Sequence, residues 1–159
     1  MPVRLTDEHI TKLLQERKPL PADWHPRLVP KQRRGRQHKE AHLDTVGAAG
    51  SVFRISIRQS AADPGSFAVV LSHRPLGTTE FVRLRRYNGS HWPHTNPIEK
   101  TVVDGCHIHI ATERYQDRGA DAETFAEPTD RFSDINGALQ LLIEECRFDV
   151  PKDPGSLFG

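Results

Sequence analysis

The chain has 159 residues, of which 36% are hydrophobic and 27% charged, with a formal net charge of +1. That is the size of one ordinary domain, so a single α+β domain over 1–159 is expected. No apolar run reaches the roughly 18 residues of a membrane span, the first residues lack a secretory pattern, and two cysteines, Cys106 and Cys146, are too few for a disulfide scaffold; a cytoplasmic chain with two buried free thiols is expected.

Residues 6–18 predict a helix. Thr6 suits the cap, Asp7 and Glu8 suit the positive end of the helix dipole, and Ile10, Leu13 and Leu14 fall on one face. Pro19 stops it. Residues 19–50 read as an irregular basic segment, because Pro19, Pro21, Pro26 and Pro30 break both helix and strand. Trp24 is expected to anchor this arm. Lys31, Arg33, Arg34, Arg36 and Lys39 give it five positive charges.

The centre reads as β. Phe53, Ile55 and Ile57 alternate with Arg54, Ser56 and Arg58, the period of a half-buried strand. Asp63-Pro64-Gly65 is a turn. Strands over 67–73 and 81–87 follow through short loops, which makes an antiparallel meander. Residues 88–100 read as a loop. A fourth strand over 102–112 puts Cys106, Ile108 and Ile110 on one side and His107 and His109 on the other. Residues 124–127 form a short edge strand. Residues 133–147 predict a helix capped by Ser133, with an apolar stripe of Ile135, Ala138, Leu139, Leu142 and Cys146. Residues 151–159 are a short tail. The sum is a two-layer α+β sandwich: a four- or five-stranded antiparallel sheet packed on one face by the N- and C-terminal helices.

Alternation then assigns the other sheet face. It would display Arg54, Arg58, Arg83, Arg85, His107 and His109. Tyr87 falls in phase with Arg83 and Arg85 and could stack on a base. Arg forks match phosphate oxygens. With Lys31, Arg33, Arg34 and Arg36 alongside, the face points to RNA or DNA. The bland rival is a set of ordinary outward side chains paired with acids. Charge asymmetry permits both. Residues 18–39 hold seven Lys/Arg against one acid, and residues 113–153 hold eleven acids against five bases. Such ends can engage each other, or the basic end can take a polyanion.

Nine histidines sharpen the question. His107 and His109 sit roughly 6–7 Å apart on one strand face, with His91 and His94 in the preceding loop. A metal could take the pair plus one loop histidine. Alternatively His107 or His109 could move a proton on a ribose 2′-OH, with Arg83 or Arg85 steadying the charge, Tyr87 assisting and Glu113 orienting an imidazole or serving as base. His107-Ile108-His109-Ile110-Ala111 begins like the histidine-triad hydrolase motif, but Ala111 stands where a third histidine is required.

The stretches Arg86-Tyr87-Asn88-Gly89, His107-Ile108-His109-Ile110 and Glu127-Pro128-Thr129-Asp130, with a terminal helix carrying Cys146, resemble uncharacterised small proteins of bacterial phages and genomic islands. The resemblance covers roughly residues 80–148. It implies a mobile-element role as toxin, antitoxin partner or inhibitor of host defence, and it carries over no catalytic residue. Three functions stay open: a nucleic-acid-interacting protein acting as a small metal-independent ribonuclease, a non-catalytic protein-binding inhibitor or antitoxin-like module, and a His-ligated metal hydrolase. The first two need no cofactor. Candidate partners are RNA or DNA, or a host or cognate protein, with no membrane.

Overall fold

The computed structural model describes residues 3–90 and 92–152; His91 and most of the expected 151–159 tail lie outside them. Helix α1 (Asp7–Gln15) starts as the sequence predicts, with Thr6 Oγ1 accepting from His9 N at 3.0 Å. It buries Ile10 and Leu13. It ends short of the predicted boundary, because Glu16 is already extended. Strand β1 (Lys18–Pro19) and the turn-length helix α2 (Trp24–Arg27) follow. Trp24 packs against the core, as an anchor should.

The segment read as irregular contains two strands, β2 (Lys31–Gln32) and β3 (His38–Val46). The alternation in β3 is faint because Leu43 is its only buried side chain. Then come β4 (Val52–Ser60), β5 (Phe67–Arg74) and β6 (Val82–Asn88). The predicted 102–112 strand is broken. Strands β7 (His94–Asn96) and β8 (Thr101–Val103) form a separate hairpin, and β9 (His107–Ile110) starts afresh. Gly105, at φ 76°, turns the chain between β8 and β9. Helix α3 (Glu113–Asp117), strand β10 (Phe125–Pro128), helix α4 (Ile135–Glu145) and strand β11 (Phe148–Asp149) complete the order. Helix α4 is capped by Asp134 rather than Ser133: the Asp134 carboxylate accepts from Gly137 N at 2.7 Å.

Seven strands make one open antiparallel sheet in the order β10-β9-β6-β5-β4-β3-β2, larger than the expected four or five because β2 and β3 join it. Strands β1 and β11 pair in parallel beside it. The inward side chains Leu43, Phe53, Ile55, Ile57, Val69, Leu71, Leu84, Tyr87 and Ile108 share one buried cluster with Ile10 and Leu13 of α1 and Ala138, Leu142 and Ile143 of α4.

Lys18 lies fully buried where the two helices end. Its Nζ donates to Leu14 O (3.1 Å), Glu16 O (2.8 Å) and Cys146 O (2.6 Å), and sits 4.5 Å from the centre of the Phe53 ring. Two helix C-termini, each carrying orphan carbonyls, thus share one donor. Burial pushes the Lys18 pKa down to about 8. Lys18→Met strips all three carbonyls of that donor in the interior. It is expected to cost about 2–4 kcal/mol of unfolding free energy, read as a lowered urea midpoint; an unchanged midpoint would show that the ammonium is dispensable.

Candidate nucleic-acid interface

The outer sheet face follows from strand register. One row runs Lys31, Glu40, Arg58, Ala68, Asn88, His107, Pro128 across β2 to β10. The next runs His42, Ser56, Val70, Arg86, His109, Ala126, and a third Asp44, Arg54, Ser72, Arg83. Four arginines therefore frame a floor of small side chains, Ser56, Ala68, Val70 and Ser72, around a depression of about 340 Å³.

Two expected members are absent from this face. The β5–β6 register shifts between Leu71 and Ser72, so Arg83 opposes Ser72 while Arg85 opposes Leu71. A bulge adds one residue and reverses the facing of everything beyond it. Arg85 therefore points inward, 3.9 Å from Glu145. Tyr87 is wholly buried on that same inner side, its hydroxyl donating to Glu145 Oε1 at 2.9 Å. It is not in phase with Arg83 and offers no stacking surface. Arg86 takes the outward place instead. The adjacent Arg85-Arg86 pair was the signal in the sequence, since a strand must turn one of two neighbours outward.

The frame is held by carboxylates. Arg54 grips Asp44 through Nε (2.6 Å) and Nη2 (3.1 Å) and lies 4.1 Å above the Phe81 ring centre. The hydrogen bond from Arg54 holds the Asp44 carboxyl below its usual range. Arg83 and Arg86 each approach Glu123 Oε2 at 3.5 Å. Burial lowers the Arg86 pKa, opposed by Glu123. Arg58 Nη2 lies 3.2 Å from His38 Nδ1. Glu123, Ser56, Ser72, His38 and the exposed His42 had no assigned role in the sequence.

His107 and His109 do face outward, yet they are only 2% and 1% exposed. Strand β7 brings His94 over them, with ring centres 6.0 Å and 4.6 Å away. The hairpin is clamped by Asn96, whose amide accepts from Ala126 N and donates to Ala126 O, both at 2.9 Å, closing the β10 edge. These bonds orient the Asn96 amide, so His94 Nε2 donates to its Oδ1 (3.1 Å). His107 Nδ1 donates to Gly105 O (2.8 Å) and His109 Nδ1 to Glu123 O (2.9 Å). Carbonyls only accept, so the remaining Nε2 atoms are lone pairs in the neutral rings; Arg86 Nη2 lies 3.4 Å from that of His109. Burial, reinforced by Arg86, pushes the His109 pKa down to about 3, and burial lowers that of His107.

This arrangement bears on the proton-transfer and metal readings. His107 and His109 are roofed, so in this arrangement neither ring opens toward a ligand on the arginine face. Among the described residues no three His, Cys, Asp or Glu side chains converge as a metal set. Glu113 is not on a strand: β9 stops at Ile110, and Glu113 heads α3 behind the Thr112 cap. Its carboxylate accepts from Asp7 N and from Arg4, both at 2.7 Å, tying α1 to α3. Lys31, Arg33, Arg34 and Arg36 sit on the exposed β2–β3 hairpin at the edge of the face.

Fold and face together define a mixed protein built on an open antiparallel sheet with an arginine-lined outer surface. The chain belongs to a family of unknown function, DUF6978, whose model matches residues 5–148. The match takes in the N-terminal region that the resemblance over 80–148 left out. No curated protein and no solved structure matches.

The buried imidazoles predict an acid-sensitive fold. With the His109 pKa at about 3 in the native state and 6.5 as its ordinary value, the unfolded chain binds more protons between those limits. Its contribution is complete above pH ~6.5 and is lost as pH falls toward ~3, at up to about 1.4 kcal/mol per pH unit. Burial-lowered His107 and His73 act with the same sign. Urea midpoints measured across that range should fall with acid, and His109→Gln, whose amide can still donate to Glu123 O, should flatten the fall. Parallel curves for the two proteins would refute the assignment.

Proposed function

We propose that the outer sheet face binds nucleic acid through its phosphate backbone, as a binding protein rather than a ribonuclease. The observation that carries this reading is the frame of Arg54, Arg58, Arg83 and Arg86 around a floor of small side chains. Guanidinium forks suit phosphate oxygens in paired geometry. Three of the four are already positioned, by Asp44 or Glu123, so little side-chain freedom remains to be lost on binding. Arg54 spends Nε and Nη2 on Asp44 and keeps Nη1. Four guanidiniums against three carboxylates, Asp44, Glu123 and Glu40, leave a surplus of one positive charge, and the small floor lets a backbone approach closely. Such contacts position a ligand without reading its sequence. Cleavage is not part of the reading, because His107 and His109 lie beneath the β7–β8 hairpin.

The test is binding of a labelled oligonucleotide at several salt concentrations. Affinity should fall steeply with salt, with a log–log slope near −0.9 per phosphate contacted. Arg58→Ser and Arg83→Ser should each weaken binding across all sequences and reduce that slope by about one. RNA should stay intact on prolonged incubation, and His107→Ala should leave affinity within about twofold if it stays folded. No binding at low salt would overturn the proposal and favour a non-catalytic module that binds protein.

A further inference from the structure

We infer that the ligand is a duplex, held by two separate sets of cations, an inference that rests on the nucleic-acid reading above. The second set is the β2–β3 hairpin. It is an ordered turn: Arg36 N donates to Arg33 O at 3.0 Å, and Gln32 Nε2 donates to Arg36 O at 2.9 Å. Gly35, at φ 76°, takes the left-handed position that such a tight turn demands. Ala61 N donates to Gln37 O at 2.9 Å, which ties the hairpin base to the β4–β5 connection. Lys31, Arg33, Arg34 and Arg36 are exposed on it, and Lys39 is half-buried. Among the described residues none of these five cations forms an ion pair, whereas three of the four frame arginines do.

Two features select a duplex over a single strand. Single strands are gripped by stacking their bases on aromatic rings. The outward rows of the sheet carry no Phe, Tyr or Trp. Tyr87, the aromatic residue of β6, is buried on the inner side, and Phe81 has a face covered by Arg54. These rows therefore offer charge without stacking, which suits a backbone; the exposed Trp92 precedes β7 and lies outside them. The second feature is spacing. The frame centres on β5 and the hairpin on β2, three strand spacings or roughly 14 Å away. The grooves of B-form DNA are roughly 6–12 Å wide, and A-form RNA offers a wide, shallow minor groove, so with side-chain reach the frame can hold one backbone while the hairpin holds the backbone across the groove. A single strand has no second backbone for the hairpin. Duplex RNA and duplex DNA share this chemistry.

The experiment measures anisotropy of the full chain with a duplex RNA, a duplex DNA and a single strand, each about 20 nucleotides long so that the whole face is covered. A triple variant, Arg33→Ser with Arg34→Ser and Arg36→Ser, is run beside the wild type, and thermal melting confirms that it is folded. At least one duplex should bind roughly tenfold or more tightly than the single strand, and the preferred arm names the duplex. The triple variant should lose most of that preference, with its salt slope on duplex reduced by up to about three contacts, while weak single-strand binding persists. Equal binding of duplex and single strand would overturn the inference and leave the nucleic-acid reading standing. So would an unchanged triple variant, which would mark the hairpin cations as guards of an exposed sheet edge. Binding of none of the three probes would remove both.

Discussion

The outer surface depends on a single irregularity, the register shift between β5 and β6 at Leu71 and Ser72. Strand β6 must bury Leu84 and Tyr87, whose spacing of three residues cannot be met by strict alternation. The bulge resolves this conflict. It keeps both side chains in the core and gives the Tyr87 hydroxyl a partner in Glu145. Burying a tyrosine of this kind contributes about 2–3 kcal/mol, enough to favour an unpaired ladder position. The consequence for the face is indirect: Arg83 and Arg86 turn outward, Arg85 turns in, and Glu123 bridges the outward two.

This explains what could be read from the chain. Alternation in β4 was strong, so Arg54 and Arg58 were assigned to the outer face from sequence, and the structure places them there. The pattern in β6 held for Arg83 and failed for Arg85 and Tyr87, because strict alternation was carried through the phase change between Leu84 and Tyr87 that marks the bulge. Strand β3 was missed since only Leu43 reaches the core, and a strand with one buried residue has no measurable period. The burial of His107 and His109 depends on β7 folding over β9, a contact from outside the strand itself. Their side of the sheet was legible; their cover was not.

Lys18 plays the corresponding part on the inner side. Its ammonium meets the last carbonyls of α1 and the Cys146 carbonyl beyond α4. A residue that reads in sequence as the last cation of the helix over 6–18, and counts toward the charge of residues 18–39, is therefore a core residue. Counting charge along the chain overstates the basic surface near residue 18 and understates its concentration near residue 33.

The acidic third of the chain bears on the same point. Glu113 and Asp117 take Arg4, Asp149 takes Arg17, Glu123 takes Arg83 and Arg86, and Glu145 takes Arg85 and Arg131. Among the described residues these acids pair with arginines elsewhere in the fold and not with the cations of residues 18–39. Most such surface pairs contribute little to stability. Their effect is on distribution: by engaging arginines spread across the fold, they leave the net positive charge concentrated on the β2–β3 hairpin. A formal charge of +1 over the whole chain thus coexists with a local concentration of positive charge, the feature on which the proposed polyanion binding rests. It lies at one edge of the sheet face that already carries the arginine frame.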